Sequence, residues 1–232
     1  MKKILAAFGV LLALSACSVS RVSTLEDTLK SSVQLGDYCS GTVIDDPDLS
    51  DGEQLTVLTA KHCISETEVI GTILTINTPV IIGNDYGKME GTKVIIKDIS
   101  KTSDLVLLQG LTADDHKLPK ANVYGGLPTA GTPSFAFGYP RGESLTISFG
   151  YLGYIISNSF APELSRSGRW QKTTNAVQGG SSGGGLFVET DNGFELIGTL
   201  TWGYRGDEGS SYWTPLDEVH GFLEENSGKS TS

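Results

Sequence analysis

Between Gln178 and Leu186 the chain reads Gln-Gly-Gly-Ser-Ser-Gly-Gly-Gly-Leu. Five glycines around two adjacent serines make a poor strand or helix interior, because glycine loses the most conformational freedom on folding and has no side chain to bury. A nucleophilic serine has the opposite needs: a tight turn in unusual backbone angles, amide hydrogens free to meet an oxyanion, and no neighbouring Cβ to crowd the substrate. A flexible Gly/Ser linker shares this composition, so the rest of the chain has to discriminate. His62 supplies a second group. It follows the apolar run Leu55 to Leu58 within Thr59-Ala60-Lys61-His62-Cys63, and a histidine at a strand end is placed as a general base needs to be. Gly180, Ser182 and Gly184 also satisfy the Gly-x-Ser-x-Gly elbow of α/β-hydrolases. An esterase of that kind would use His220 as base, with Asp191, Asp207 or Asp217 as third member. The strand-rich pattern and the short stretch after Ser182 count against it.

The elements that must position these groups are short. From Asp37 onward, runs rich in Val, Ile, Thr and Tyr alternate with Gly, Asn, Asp and Pro: 41–44, 54–59, 71–76, 93–96 and 105–109 read as strands. Helical periodicity is absent until 217–225, which follows Pro215 and predicts a C-terminal helix. Many short strands point to a sandwich or a barrel. Upstream, Val22, Leu25, Leu29 and Val33 are spaced loosely like one helix face, so the polar segment to Gly36 reads as a tether with a helical turn or two. Asp45, Asp46, Asp48, Asp51 and Glu53 invite a calcium reading. They fail the EF-hand template, since glycine falls one place late at Gly52 and Val57 stands where the bidentate glutamate belongs. A solvated acidic turn is the simpler expectation.

Residues 1–16 read as an export signal: Lys2 and Lys3 precede the apolar run Ile4 to Leu14, too short to span a bilayer. Leu14-Ser15-Ala16-Cys17 resembles the lipobox of bacterial lipoproteins, which implies cleavage before Cys17, lipidation of that cysteine and a palmitate-bearing membrane anchor. Ser18 in the next position implies the outer membrane, with the domain facing the periplasm. Losing 1–16 moves the formal charge from −10 to −12, which argues against nucleic acid or anionic lipid as a partner. Of three cysteines, Cys39 and Cys63 remain, and in an oxidising compartment they are expected to pair, worth about 3 kcal/mol.

Thr59 to Cys63 resembles the catalytic-histidine motif of the trypsin and chymotrypsin family of serine endopeptidases, with Lys61 the one departure. Cys39-Ser40-Gly41 is similar to the strand bearing the family's disulfide partner. Asp104, followed by Leu105-Val106-Leu107-Leu108, matches the aspartate that the family requires before an apolar strand; Asp98 is the runner-up, less suited because Ile99-Ser100 does not continue as a buried strand. Residues 131–153 resemble the opening of the second barrel in the bacterial, HtrA-like branch, and Gly180 to Gly184 match the nucleophile motif. The resemblance covers roughly 37–224 and implies an all-β fold of two antiparallel six-stranded β-barrels, about 37–121 and 131–215, with a short C-terminal helix at 216–225. Residues 17–36 would be the lipidated tether and 226–232 a flexible tail. No PDZ-like appendage is expected after residue 224, so the HtrA mode of regulation is not expected either.

The resemblance implies a His62, Asp104, Ser182 triad, an oxyanion hole from the amides of Gly180 and Ser182, and no metal or organic cofactor. Ser181 stands where zymogen-activated members carry aspartate, so activity is expected once the protein is exported and folded, unless a partner controls it. Thr201, Trp202 and Gly203 resemble the strand that pairs with an extended peptide substrate. Ala176 stands at the floor of the specificity pocket. With no acid there, a lysine or arginine would be buried unneutralised, and Leu200 replaces the histidine of glutamate-specific relatives. A small to medium uncharged P1 residue is expected, with Asp207, Glu208 and Ser210 close enough to alter this. The chain is expected to be a monomer. The rival outside enzymology is a non-catalytic lipoprotein that keeps the barrels as a binding module.

Overall fold

Strand-forming runs separated by turn residues fold as the alternation requires. The computed structural model describes residues 24–45, 55–82, 85–111, 118–157, 168–203 and 209–227. Thirteen strands are flanked by two helices: α1 (Leu25–Lys30), β1 (Ser32–Leu35), β2 (Cys39–Asp45), β3 (Thr56–Thr59), β4 (Ile73–Ile82), β5 (Asp85–Ile99), β6 (Val106–Gly110), β7 (Ala121–Val123), β8 (Pro133–Gly138), β9 (Thr146–Ser157), β10 (Arg169–Thr173), β11 (Gly185–Thr190), β12 (Gly193–Gly203), β13 (Ser211–Pro215) and α2 (Leu216–Ser227).

Two rings close. Strands β1, β4, β5, β6, β3 and β2 pair antiparallel in that order, and β1 returns to β2 with Val33 opposite Gly41. Strands β12, β11, β8, β9, β10 and β13 form the second ring, closed by β12 against β13. Closure removes the unpaired edges that an open sheet would expose. The three residues of β7 bridge the rings, running parallel to both β2 and β12. This is the chymotrypsin-like pair of six-stranded barrels expected above.

Three apolar clusters follow the architecture. Val33, Val43, Val57, Ile76, Val94 and Leu108 fill the first barrel; Leu152, Leu186, Val188, Ile197, Leu200 and Trp213 belong to the second. Between them, Ile44, Leu58, Leu107, Phe137, Phe187 and Leu196 form a seam onto which α2 lays Val219, Phe222 and Leu223.

The N-terminal tether expectation needs correcting. Residues 25–35 belong to the fold, not to the linker assigned to 17–36. A capping box starts α1, with Asp27 N donating to Thr24 Oγ1 at 3.1 Å and the Asp27 carboxylate accepting from the Thr24 backbone. Leu25 and Leu29 pack against the seam. The next four residues are a wholly buried strand of the first barrel. The helix-like spacing continued through Val33 by coincidence, because the strand's own apolar residues, Val33 and Leu35, alternate. Strand β5 also outruns its expected 93–96. At the other end α2 reaches Ser227, so the tail begins inside a helix, where buried Asn226 donates to the Phe222 carbonyl at 2.7 Å. Residues 1–23, with the signal and Cys17, and 46–53 of the acidic segment lie outside the described residues; Asp45 itself faces Lys120 at 3.7 Å.

Candidate active site

His62 sits in a single 3-10 turn, Lys61–Cys63, directly after β3. Three attachments hold the turn: the Cys63 amide donates to the Ala60 carbonyl, Lys61 Nζ donates to the Ser100 carbonyl at 3.1 Å, and a disulfide joins Cys63 to Cys39 at the head of β2. Asp104 ends the loop between β5 and β6. Ser100 Oγ accepts the amides of Thr102 and Ser103, folding that loop back on itself, and Ser103 Oγ donates to Glu218 of α2 at 2.7 Å.

The two side chains meet. Asp104 is 1 % exposed and accepts twice from His62, Oδ1 from the backbone amide at 2.9 Å and Oδ2 from Nδ1 at 2.8 Å. A buried carboxylate needs such partners, and the acceptor keeps the ring hydrogen on Nδ1, leaving the Nε2 lone pair to take a proton. The runner-up Asp98 lies on β5 with Oδ1 receiving the Ile99 amide. His220, the base of the esterase alternative, is occupied otherwise: its Nε2 donates to the Tyr124 carbonyl at 2.8 Å.

The serine turn comes from the second barrel. Ser181 N donates to Gln178 O at 3.0 Å and Gly184 N to Ser181 O at 2.9 Å, while Gly183 N and Leu200 N anchor the turn to β12. Gly180 and Gly183 have φ of +101° and +81°. A Cβ on Gly183 would collide with the Ser40 carbonyl, Thr59 Oγ1 and the Ala60 amide, so glycine is required for the turn to lie this close to the histidine loop. Across that contact the Ser40 amide donates to the Ser182 carbonyl at 2.7 Å, and Cys63 Sγ lies 3.6 Å from the same oxygen. Ser182 is half-buried, and the amides of Gly180 and Ser182 donate to no acceptor among the described residues. The Gly179 carbonyl is held by Arg141 N at 2.7 Å. In a trans peptide the N–H opposes the C=O, so the Gly180 N–H points away from that contact.

Thr201, Trp202 and Gly203 end β12. Past Leu200, where contact with the serine turn stops, the strand pairs only with β13 among the described residues. That leaves an edge on which an extended peptide can add as a strand. The Trp202 ring stacks on Tyr212 with centroids 4.3 Å apart, and Thr201 Oγ1 meets Thr214 Oγ1 at 3.2 Å. Gly203 lies against Val177, whose Cγ2 a Cβ there would meet at 2.7 Å. Ala176 itself lines a cavity of about 670 Å³ with Gln178, Ser181, Arg141, Glu143 and Trp213. Ser182, Thr201, Trp202 and Gly203 are not part of that lining, so the cavity lies beside the serine turn. Asp207 and Glu208 lie outside the described residues.

Sequence reasoning missed Ser40, Gln34 and Arg141. Arg141 is the one non-glycine among the described residues with positive φ, at 57°, and Gln34 Nε2 donates to the Gly142 carbonyl at 3.1 Å. Only the Pro140-Arg141-Gly142 turn composition hinted at the first of these.

A profile of the lysyl endopeptidase C-terminal domain family matches residues 16–212. No protein with a curated description matches in sequence. Among solved structures, the chain is similar to the Rv3671c protease of M. tuberculosis in its active form, with a TM-score of 0.65 and 16 % identity over 99 % of this chain and 96 % of that one. The inactive form of the same protease superimposes with a TM-score of 0.62, 18 % identity and coverage of 88 % and 92 %. The serine endoprotease of Yersinia pestis gives 0.59 and 19 % identity, over 87 % of this chain and 64 % of that one.

Proposed function

The chain belongs to the lysyl endopeptidase C-terminal domain family, trypsin-like serine proteases, and from that premise we propose that it hydrolyses peptide bonds with Ser182 as nucleophile, His62 as base and acid, and Asp104 as the group that orients the imidazole. The observation that carries this reading is the double hydrogen bond from His62 to the buried Asp104 carboxylate. With Nδ1 bearing the hydrogen, Nε2 takes the Ser182 hydroxyl proton as Oγ attacks the scissile carbonyl. The amides of Gly180 and Ser182 receive the developing oxyanion, one such donor being worth about 3 kcal/mol. Collapse expels the amine, which leaves with the proton from Nε2, and a water activated by the same nitrogen releases the acyl group.

The substrate is a protein or peptide segment in extended form, paired with Thr201, Trp202 and Gly203. At P1 a small to medium uncharged residue suits Ala176. Cys17 carries the lipid that holds the enzyme at the bacterial envelope, on the outer membrane and facing the periplasm. Among the described residues no helix is long and apolar enough to cross a membrane.

Mass spectrometry after exposure to a fluorophosphonate tests the chemistry. An adduct on Ser182 that vanishes in His62→Ala is the expected result; an adduct that survives His62→Ala but is lost in His220→Ala would establish the esterase alternative, and no adduct in any form the binding module. A peptide library cleaved after lysine would overturn the P1 assignment, and membrane association that persists in Cys17→Ser would overturn the anchor.

A further inference from the structure

Ser40 is buried completely and touches the serine turn through both its main chain and its side chain. Its amide donates to the Ser182 carbonyl at 2.7 Å and its carbonyl accepts from Thr59 Oγ1 at 2.7 Å. Its hydroxyl is used in both senses. Oγ donates to the Gly180 carbonyl at 2.8 Å and accepts the Tyr139 amide at 2.9 Å. A serine hydroxyl has one hydrogen to give, and here it goes to the peptide that follows Gly180.

The preceding peptide is held from another side. Arg141 N, in its left-handed conformation, clamps the Gly179 carbonyl. The clamp is itself braced by β1: Gln34 Nε2 donates to Gly142 O, and the buried Tyr139 hydroxyl donates to Ser32 O at 3.1 Å. Gly180 therefore lies between two peptides whose carbonyls are both fixed, Gly179 O by Arg141 and Gly180 O by Ser40. It has no Cβ of its own to resist rotation, and one would meet Arg141 N and Tyr139 O at 2.5 Å. Freeing the Gly180 carbonyl leaves the two peptides around Gly180 held only by Arg141 N on Gly179 O and by Ser181 N on Gln178 O, with nothing fixing the Gly180 carbonyl itself.

We propose that the Ser40 hydroxyl is a positioning residue for the oxyanion hole: by holding the Gly180 carbonyl it keeps the Gly180 amide aimed at the substrate oxygen. The inference rests on the proteolytic reading above and deepens it. Ser40 touches neither substrate nor reacting atoms. Its effect lies in preorganisation, since a donor already aimed at developing charge needs no reorientation during reaction.

The test compares wild type with Ser40→Ala and Ser40→Gly, both of which remove the hydroxyl and add no bulk, and with Ser40→Thr, which keeps it. With a fluorogenic peptide drawn from the library, Ser40→Ala is expected to lower kcat about tenfold with KM within twofold, the size of one net hydrogen bond. Deleting an oxyanion donor outright would cost about 100- to 1000-fold. The affinity of a peptide aldehyde, whose adduct with Ser182 carries an oxyanion, is expected to weaken by the same factor, and Ser40→Thr to restore both. A merely structural hydroxyl would lower Tm and leave kcat and aldehyde affinity within twofold, and that outcome overturns the proposal. Ser40→Gly gives the same comparison if the alanine variant does not fold. Wild-type protein that neither cleaves peptide nor takes the fluorophosphonate would overturn the proteolytic reading and this inference together. Labelled, active wild type with an unaffected Ser40→Ala would overturn this inference alone.

Discussion

In the first barrel the site is joined side chain to side chain, whereas in the second it is made of main chain. His62 and Asp104 are united by a hydrogen bond between imidazole and carboxylate and tied down by the Cys39–Cys63 disulfide, above an aliphatic interior. The Ser182 turn has no such side-chain pair. It is shaped by glycines at positive φ and by carbonyls held from neighbouring strands, over a core in which the Trp213 indole donates to Thr173 and Ser211 and Asn175 bonds to Ser134 and Ser148. The first half of the site is thus sensitive to losing atoms, and the second to gaining them.

Three comparisons sharpen that contrast. The largest effect belongs to Asp104→Asn, which presents an amide hydrogen to Nδ1 and so favours the wrong tautomer: kcat is expected to fall about 10⁴-fold in a protein that still folds. A loss under tenfold in steady-state kinetics would pass the orienting role to Asp98. Next comes Gly183→Ala, which adds one carbon facing Ser40 O and Thr59 Oγ1. It is expected to cost about 4 kcal/mol in urea denaturation, while Gly125→Ala, with nothing within 4 Å of its new carbon, stays within about 0.5 kcal/mol. Equal effects at the two glycines would erase the asymmetry. The double variant Cys39→Ala/Cys63→Ala is expected to cost about 3 kcal/mol, since the cross-link closes a loop of sequence separation 24. A negligible shift in its denaturation midpoint would mean that the His62 turn is held by its hydrogen bonds alone.

The fold and the centre of the site were legible in the sequence because their signals are local. Glycine around Ser182, His62 at a strand end and Asp104 ahead of an apolar strand each announce a need that a few neighbours create. The supports were illegible because their partners are remote. Nothing near Ser40 says that its hydroxyl will find Gly180, 140 positions on, and no residue beside Gln34 signals a bond to Gly142, 108 positions away. The N-terminal boundary was misjudged for a similar reason. Residues 32–35 are polar on alternate positions, as in Ser32 and Gln34, yet wholly buried, because the 139–142 turn lies over β1, with Tyr139 bonded to the Ser32 carbonyl and Gln34 to that of Gly142. Strand β4 runs on past the expected 71–76 to Ile82, through Pro79, a residue that a strand tolerates at a register shift, which is where it stands.

The seam beneath the cleft has a consequence in time. It gathers Leu25, Ile44, Leu107, Phe187 and Leu223 into one apolar cluster, so its contacts join nearly the first described residues to nearly the last. Topologies dominated by such distant pairings fold slowly. They also give little chance for one part of the cleft to open while the rest stays closed, since both barrels and both helices share the same buried surface. The chain therefore acquires its cleft late in folding and as a whole.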